Sequence, residues 1–237
     1  MQLFYPFPPI LVWEEMRDAM AAAAQMGKVE FLGKVVARLK RKYRAQMVTT
    51  LDHATPFELL VATMLSAQAQ DVTVNRYTPR LFRRYKTVNS FADATPSRIF
   101  PYIKNIGLFR SKGRNIVKMA RMLRERFGSR VPKTIWELTM LPGVGRKTAN
   151  VVLSNAYGIS EGIAIDTHCI TVSNRLGLVR TRDPVKIEAR IMGMLPSREW
   201  KDVSHLFIAL GRDVCTAKAK HCERCVLRDI CPSSTVR

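Results

Sequence analysis

The chain has 237 residues, of which 47% are hydrophobic, so it is long enough for one large domain or two small ones, each with a buried core. This composition excludes wholesale disorder, and no apolar run reaches the length of a membrane span. Lysine and arginine number 39 against 19 aspartates and glutamates, and this net charge of +20 favours a polyanionic partner, nucleic acid ahead of an anionic membrane. Charge alone leaves open a basic protein that has no such partner.

The amino-terminal segment differs from the rest of the chain. Its short apolar run ends at Trp13, has no basic residue before it and is followed by two glutamates, which makes it a poor signal peptide. We therefore expect an intracellular protein. Three early prolines oppose regular structure, whereas residues 13–26 predict an Ala-rich helix. We interpret residues 1–27 as an extension.

Capping residues and apolar periodicity predict a chain that is mostly helical. The pair Thr55-Pro56 opens a helix over residues 57–68, and the basic amphipathic stretch 111–127 ends at Gly128. Strand-like alternation is scarce, which disfavours a nucleotide-binding βαβ fold. Further helices are predicted at 134–140 and 146–157, and others begin at Thr95-Pro96, Asp183-Pro184 and Ser197.

The segment 141–150 carries the most informative motif, in which Gly143 and Gly145 flank Val144 directly before a helix. Glycine permits positive φ and close backbone approach, so the amides of such a turn form a socket for a phosphate oxygen. Val144 would anchor the turn in the core. A lone Gly-x-Gly is usually only a turn, but here it lies between two predicted helices. That arrangement is a helix–hairpin–helix, which grips the DNA backbone without reading its sequence.

Lys147 follows the hairpin in the first helical turn, and Asp166 comes 19 residues later. Lys147 is either a solvated surface lysine or a nucleophile, since the helix terminus and the neighbouring Arg146 both disfavour a charged ammonium. Asp166 is either a helix N-cap or an acid–base and electrostatic group, and these two roles are compatible. Position alone does not settle either choice.

Four of the five cysteines lie in the last 23 residues, with six, two and five residues between successive members: Cys215, Cys222, Cys225 and Cys231. In an intracellular chain such a group more often binds metal than forms disulfides. Zinc sites usually show two short Cys-x-x-Cys pairs and this group has one, so spacing alone favours an iron–sulfur cluster only slightly.

Four segments of the chain, at 65–71, 106–108, 141–152 and 165–168, together resemble the endonuclease III family of the helix–hairpin–helix DNA glycosylase superfamily. The similarity covers roughly residue 30 to the carboxyl terminus, and the combination of motifs is highly specific. Cys169 departs from the usual apolar residue, and we assign it to packing.

The resemblance implies a bifunctional DNA glycosylase and AP lyase of base excision repair. Lys147 would attack the sugar with help from Asp166, and relatives specialised for mismatched bases generally lack this lysine. The substrates would be oxidised or otherwise damaged pyrimidines and abasic sites in double-stranded DNA. The four cysteines would bind a [4Fe–4S] cluster. DNA contacts are expected from the hairpin, from inserted side chains and from the loop between the first two cysteines of the group: Gln68, Leu108, Gly143, Val144, Gly145, Arg146, Lys218 and Lys220.

The implied fold is all-α and two-lobed. Residues 51–161 would form a six-helix barrel with the hairpin, and residues 28–50 and 162–237 a discontinuous iron–sulfur cluster domain. We further expect a monomer without membrane association, cytoplasmic and nucleoid-associated if prokaryotic. Two other classes remain open: a non-catalytic DNA-binding protein that uses the hairpin only for grip, and an iron–sulfur electron carrier.

Overall fold

The computed structural model describes the backbone of residues 10–44 and 49–236 and the side chains of 25–44 and 49–236. These ranges hold no strand, only an isolated bridge between Cys215 and Lys220, which confirms the all-α prediction. None of the helices within them has the length and apolarity needed to cross a bilayer. The helices are α1 (Ile10–Tyr43), α2 (Pro56–Ser66), α3 (Asp71–Arg84), α4 (Val88–Ala92), α5 (Pro96–Ile103), α6 (Phe109–Phe127), α7 (Ile135–Met140), α8 (Arg146–Val152), α9 (Thr167–Arg175), α10 (Pro184–Met192) and α11 (Trp200–Asp213).

Most predicted helix starts are confirmed by their caps. The Thr55 hydroxyl accepts from the Glu58 amide at the start of α2, and the Asp183 carboxylate accepts from the Val185 amide at the start of α10. Gly128 ends α6 in the left-handed conformation. One predicted end is wrong by two residues, since α2 stops at Ser66 rather than at residue 68. The predicted end at residue 157 is confirmed, because α8 continues at Leu153 as a π-helical turn that ends at Tyr157, with Gly158 as its left-handed cap.

Helix α1 corrects the predicted bounds of the amino-terminal helix, which was expected over residues 13–26, within a separate extension. It is one helix of 34 residues, and it runs through the expected boundary after residue 27. Gly27 and Gly33 lie inside it, where a glycine costs only about 1 kcal/mol relative to alanine and does not end a helix. The early prolines lie outside the described residues.

The buried side chains form two hydrophobic cores. The first gathers apolar residues from Leu51 to Leu153, carried by α2 to α8, and Phe91 lies fully buried in it. The second joins the carboxyl-terminal half of α1 to the segment from Ile163 to Leu227, with Phe207 at its centre. The chain therefore builds two lobes, and the loop between the π-helical turn and α9 passes from one core to the other.

We expect Phe91→Ala to lower the free energy of unfolding by about 3–5 kcal/mol, because the ring is fully buried and truncation leaves a cavity. The ring also packs edge-on against Phe57, with centroids 5.2 Å apart. Trp136→Ala is the matched control, since that side chain is 71% exposed and should cost little. Equilibrium unfolding in urea, followed by circular dichroism, measures both. Equal losses in the two variants would contradict the assignment of Phe91 to the first core.

Candidate active site and cysteine cavity

The predicted hairpin joins α7 to α8. The Val144 amide donates to the Leu141 carbonyl at 3.1 Å, and the Val144 side chain is buried in the first core, as expected. Gly143 has φ of +80°, and a Cβ there would lie 2.9 Å from the Asn115 side chain on α6. Only glycine suits this position, for both reasons. Gly143 and Gly145 are exposed, so their backbone faces a space that a ligand could enter.

Arg146 opens α8 but is not a free cation. Its Nε and Nη2 donate to the two carboxylate oxygens of Glu188, at 2.6 and 3.2 Å. The Glu188 carboxylate raises the pKa of the Arg146 guanidinium and is itself only 5% exposed. Asn150 and the Ile163 amide donate to the same carboxylate, at 3.1 and 3.0 Å. Sequence reasoning missed Glu188, because nothing at its position in α10 distinguishes it from an ordinary helix glutamate.

Lys147 and Asp166 stand at the first turns of helices that belong to different cores. Lys147 is exposed on α8, whose Ala149 and Val152 pack in the first core. Asp166 is half-buried at the N-cap of α9, whose Cys169 and Val172 pack in the second core. The cap is direct, since Asp166 Oδ1 accepts from the Cys169 amide at 2.8 Å.

The buried thiol of Cys169 links these two charges. Burial raises the pKa of this thiol, the Asp166 carboxylate raises it further, and the Lys147 ammonium lowers it. The structure brings Lys147 and Asp166 to the same region, one from each lobe, because Glu188 accepts from Arg146, beside Lys147, and from the Ile163 amide, three residues before Asp166. Cys169 is completely buried in packing.

Gln68 and Leu108 lie in two adjoining loops, and both are non-glycine residues with positive φ, +55° and +61°. Gln68 lies in the turn after α2, not at the end of the helix as predicted. A Cβ on Gly107 would lie 3.9 Å from the Gln68 carbonyl oxygen, which places the loops side by side. Leu108 is 62% exposed. A left-handed, exposed leucine is strained and unburied at once, a combination that folding alone does not favour.

Lys112 links the two helices that flank these loops, α2 and α6. Sequence reasoning missed this residue as well. It lies on α6, one turn after Leu108, and is buried, with Nζ donating to the Leu65 carbonyl at 2.8 Å. Burial lowers the pKa of this ammonium. The bond satisfies a carbonyl near the end of α2 and fixes the start of α6 against it.

All four cysteines of the carboxyl-terminal group line one cavity, whose remaining wall is largely apolar, with Leu176, Leu210 and Leu227 among its residues. Burial raises the pKa of the Cys225 and Cys231 thiols, and the neighbouring thiols raise it further. Hydrogen bonds from Thr235 lower the pKa of Cys222. Four thiolates so close together repel one another unless a cation lies among them.

Arg175, at the end of α9, faces this cavity. Its Nη1 lies 3.3 Å from Cys215 Sγ and donates to the Thr216 carbonyl at 2.7 Å. It thus fixes the loop after α11 and adds positive charge beside a cysteine. In that loop Lys218 is exposed, while Lys220 Nζ donates to the Ser233 carbonyl at 3.0 Å. Of the two predicted phosphate contacts, Lys220 already has an intramolecular partner.

Comparison with known proteins assigns this arrangement to a family. The profile of HhH-GPD superfamily base excision DNA repair proteins matches residues 61–197. Endonuclease III of Synechocystis sp. is 45% identical over 185 residues, which cover 78% of this chain and 84% of the relative. Endonuclease III of Bacillus subtilis is 44% identical over 182 residues, 76% of this chain and 83% of the relative.

The chain belongs to the endonuclease III family. Its structure is similar to a solved structure of a trapped endonuclease III–DNA covalent intermediate, with a TM-score of 0.82 and 38% sequence identity. The match covers 86% of this chain and 96% of that chain. The predicted two-lobed helix–hairpin–helix glycosylase fold is therefore confirmed. As a member of this family the protein is a base excision repair enzyme, a DNA glycosylase with AP lyase activity.

Lys112 makes a testable contribution to pH-dependent stability. Because burial lowers its pKa in the folded protein, the unfolded chain binds more protons in the window below about pH 10.4. The penalty of the buried ammonium is therefore full below the folded pKa and disappears as pH rises towards the unfolded value. We expect the stability of the wild type relative to Lys112→Met to rise as the pH increases towards about 10.4, the unfolded value.

Urea unfolding across this pH range measures the difference, with Lys118→Met as the control because Lys118 is exposed on the same helix. The control should follow the wild-type pH dependence. A pH-independent difference between wild type and Lys112→Met would show that Lys112 does not titrate in this window.

Proposed function

We propose that this enzyme removes oxidised or otherwise damaged pyrimidines from double-stranded DNA and cleaves the strand at the abasic site, with Lys147 as nucleophile and Asp166 as its assistant. One observation carries the assignment. An exposed lysine and an aspartate that caps a helix come from different lobes, and the carboxylate of Glu188 bonds to both of the segments that carry them. A nucleophile and a neighbouring carboxylate across a cleft are what imine chemistry on a sugar requires.

The chemistry follows from these two groups. The neutral Lys147 amine attacks the anomeric carbon, the N–C bond forms, and the glycosidic bond breaks with its electron pair leaving on the base. Asp166 stabilises the positive charge on the sugar and accepts the proton released from the amine. The bond between the former anomeric carbon and the ring oxygen then breaks, the ring oxygen takes up the proton that Asp166 had accepted, and a protonated imine forms between that carbon and Lys147. Loss of a proton from the adjacent carbon breaks the bond to the 3′ phosphate oxygen, which is β-elimination.

The hairpin and the cysteine loop suit a grip on the DNA backbone. The exposed backbone at Gly143 and Gly145 offers amides to a phosphate, and Val144 holds the turn in place. Lys218 is free to contact a second phosphate, whereas Lys220 would first have to release Ser233. Arg146 contributes less to phosphate binding than its sequence position indicates, because Glu188 offsets its charge.

Gln68 and Leu108 suit the exposure of the damaged nucleotide. Turning a nucleotide out of the duplex costs a few kcal/mol of lost stacking, which inserted side chains can offset. The two loops adjoin, both residues have strained backbones, and Leu108 presents an apolar side chain to solvent. We propose that Leu108 fills the space in the stack and that the Gln68 amide bonds to the orphaned base.

The cysteine cavity fits an iron–sulfur cluster. Four thiols line one cavity. Four thiolates are the ligand set of an iron–sulfur cluster, and we propose [4Fe–4S], held by Cys215, Cys222, Cys225 and Cys231. When bound, the cluster ties the carboxyl terminus to α9 and α11 and so positions the Lys218 loop.

The domain boundaries, the oligomeric state and the cellular location also belong to this proposal. The division into a barrel over 51–161 and a cluster domain from 28–50 and 162–237 agrees with the two observed cores. A monomer is expected, since one chain supplies both Lys147 and Asp166. An enzyme that acts on chromosomal damage works beside the DNA, and we place it in the nucleoid if the source is prokaryotic.

Borohydride trapping tests the proposed function. The wild type, mixed with a duplex that contains one abasic site, should give a covalent protein–DNA adduct when the imine is reduced. Lys147→Ala should give none and should still bind the duplex, because the hairpin that grips DNA is intact. Lys118→Ala, a change at an exposed lysine on α6, should trap as the wild type does. Undiminished strand cleavage by Lys147→Ala would remove Lys147 from the mechanism, and a wild type that binds without trapping would leave a DNA-binding protein.

Leu108→Gly separates insertion into DNA from folding. Glycine adopts positive φ without strain, so this change should leave stability unchanged or raise it by up to about 1 kcal/mol. Excision from duplex DNA should fall at least tenfold, because the apolar side chain is gone. The loss should be smaller at an abasic site opposite a gap, where little stacking has to be replaced. A marked drop in melting temperature with unchanged excision would instead make Leu108 a structural residue.

The metal content of the purified protein tests the cofactor assignment. Protein expressed with ample iron and sulfide should be brown and contain about four irons per chain. Cys225→Ala should lose the iron, while Cys169→Ala should keep it, because Cys169 packs in the second core and does not line the cavity. Colourless protein with stoichiometric zinc would overturn the cluster assignment.

A further inference from the structure

The carboxylate of Glu188 joins three separate pieces of the active site. Glu188 lies on α10, and its side chain is only 5% exposed. The carboxylate accepts from Arg146 at 2.6 and 3.2 Å, from Asn150 Nδ2 at 3.1 Å and from the Ile163 amide at 3.0 Å. A buried carboxylate with four hydrogen bonds, two of them from one guanidinium, is held rigidly and holds its partners in turn.

These partners surround the two groups assigned to the chemistry. Arg146 directly precedes Lys147, and Asn150 follows it by three residues on α8, so the carboxylate holds the turn that carries the lysine. Ile163 precedes Asp166 by three residues on the loop that leads to α9. Glu188 itself is anchored in the second core by Ile187 and Ile191, whereas α8 packs in the first. The carboxylate therefore spans the division between the lobes.

Gly162 shows how tightly this junction is built. A Cβ at residue 162 would lie 2.1 Å from Glu188 Oε1 and 2.8 Å from Asn150 Oδ1. The loop that carries Asp166 thus passes directly against the carboxylate, and no side chain fits between them. Any movement of the carboxylate must move this loop or α8.

We infer that Glu188 is a positioning residue, whose carboxylate sets the placement of Lys147 relative to Asp166. This inference rests on the proposed function of those two residues. Glu188 acts through Arg146, Asn150 and the Ile163 amide rather than on the substrate. Its effect should be kinetic, because a misplacement of about 1 Å between reacting groups can slow a reaction by roughly 100-fold.

The charge of Glu188 gives the inference a distinctive signature. Replacing the carboxylate removes a negative charge and releases Arg146, so binding to the DNA polyanion should stay equal or become tighter. A slower reaction with equal or tighter binding cannot result from weaker substrate affinity. A residue that only stabilised the fold would leave the rate per folded molecule unchanged.

The test is single-turnover imine trapping with enzyme in excess over a duplex that contains one abasic site. It is run well below the melting temperature of every variant, with the folded fraction measured by circular dichroism and the dissociation constant by fluorescence anisotropy. Glu188→Ala should lower the rate constant about 100-fold. Glu188→Gln should lie between Glu188→Ala and the wild type, because one amide oxygen still accepts from Asn150 or Ile163. Gly162→Ala, which keeps the charge but displaces the carboxylate, should also slow the reaction at least tenfold.

Glu199→Gln is the matched control. Glu199 is a partly buried glutamate that pairs with Lys40 on α1, away from the hydrogen bonds that Glu188 makes to α8 and to the loop before Asp166. It should lose stability without loss of rate per folded molecule. If Glu188→Ala does not fold, Glu188→Gln and Gly162→Ala decide the matter by the same criterion.

The outcomes separate the two proposals. Wild-type rates per folded molecule in Glu188→Gln and Gly162→Ala would overturn the positioning role, even if both variants melt early. Absence of trapping by the wild type, or trapping by Lys147→Ala, would instead overturn the proposed function. A slow reaction that is restored by raising the enzyme concentration would assign Glu188 to binding and would also reject the inference.

Discussion

The bond between Glu188 and Arg146 is the constraint on which the site depends, because the two lobes have separate cores and the candidate groups lie one on each. Burying a carboxylate is unfavourable unless its oxygens are paired, and here all the donors come from the segments that carry Lys147 and Asp166. The requirement to satisfy one buried charge thus becomes a requirement on catalytic geometry. Glycine at residue 162 follows from the same constraint, since the loop must pass against the carboxylate.

The loop beside the cysteine cavity and the loops of Gln68 and Leu108 are each held by a buried or partly buried cationic side chain. Arg175 holds the loop after α11 through the Thr216 carbonyl, and Lys112 holds the Gln68 and Leu108 loops through the Leu65 carbonyl. In both cases a long cationic side chain bonds to a backbone carbonyl: that of Thr216 in the loop itself, and that of Leu65 in the last turn of α2, where carbonyls lack a partner within the helix. Because these internal bonds hold the loops in place, the exposed side chains on the loops are not needed for stability and are available for contact with DNA.

Helix caps and hairpin glycines are local signals, and the helices and the turn that they predict are present in the structure. Thr55, Asp183 and Gly128 bound helices as expected, and Val144 is buried beneath the hairpin. Helix α3 escaped prediction because Pro79 lies inside it and interrupts the pattern. Sequence alone could not reveal the roles of Glu188, Lys112 and Arg175. Their bonding partners lie 25 to 47 residues away along the chain, and only the tertiary fold brings them together. The roles of Lys147, Asp166 and the cysteines stay predictions.

Although the chain is strongly basic, several of the cations near the candidate site are bonded within the protein, and others stay exposed. Several cations near the site are paired or bonded internally: Arg146 with Glu188, Lys112 with Leu65, Lys220 with Ser233 and Arg175 with the cysteine loop. Lys147 and Lys218 stay exposed. The net charge of +20 draws the polyanion to the whole surface, as long-range attraction does not depend on individual contacts. At the hairpin, Glu188 offsets the charge of Arg146, whereas the backbone of Gly143 and Gly145 stays exposed, so the backbone amides rather than this arginine are the groups suited to a phosphate.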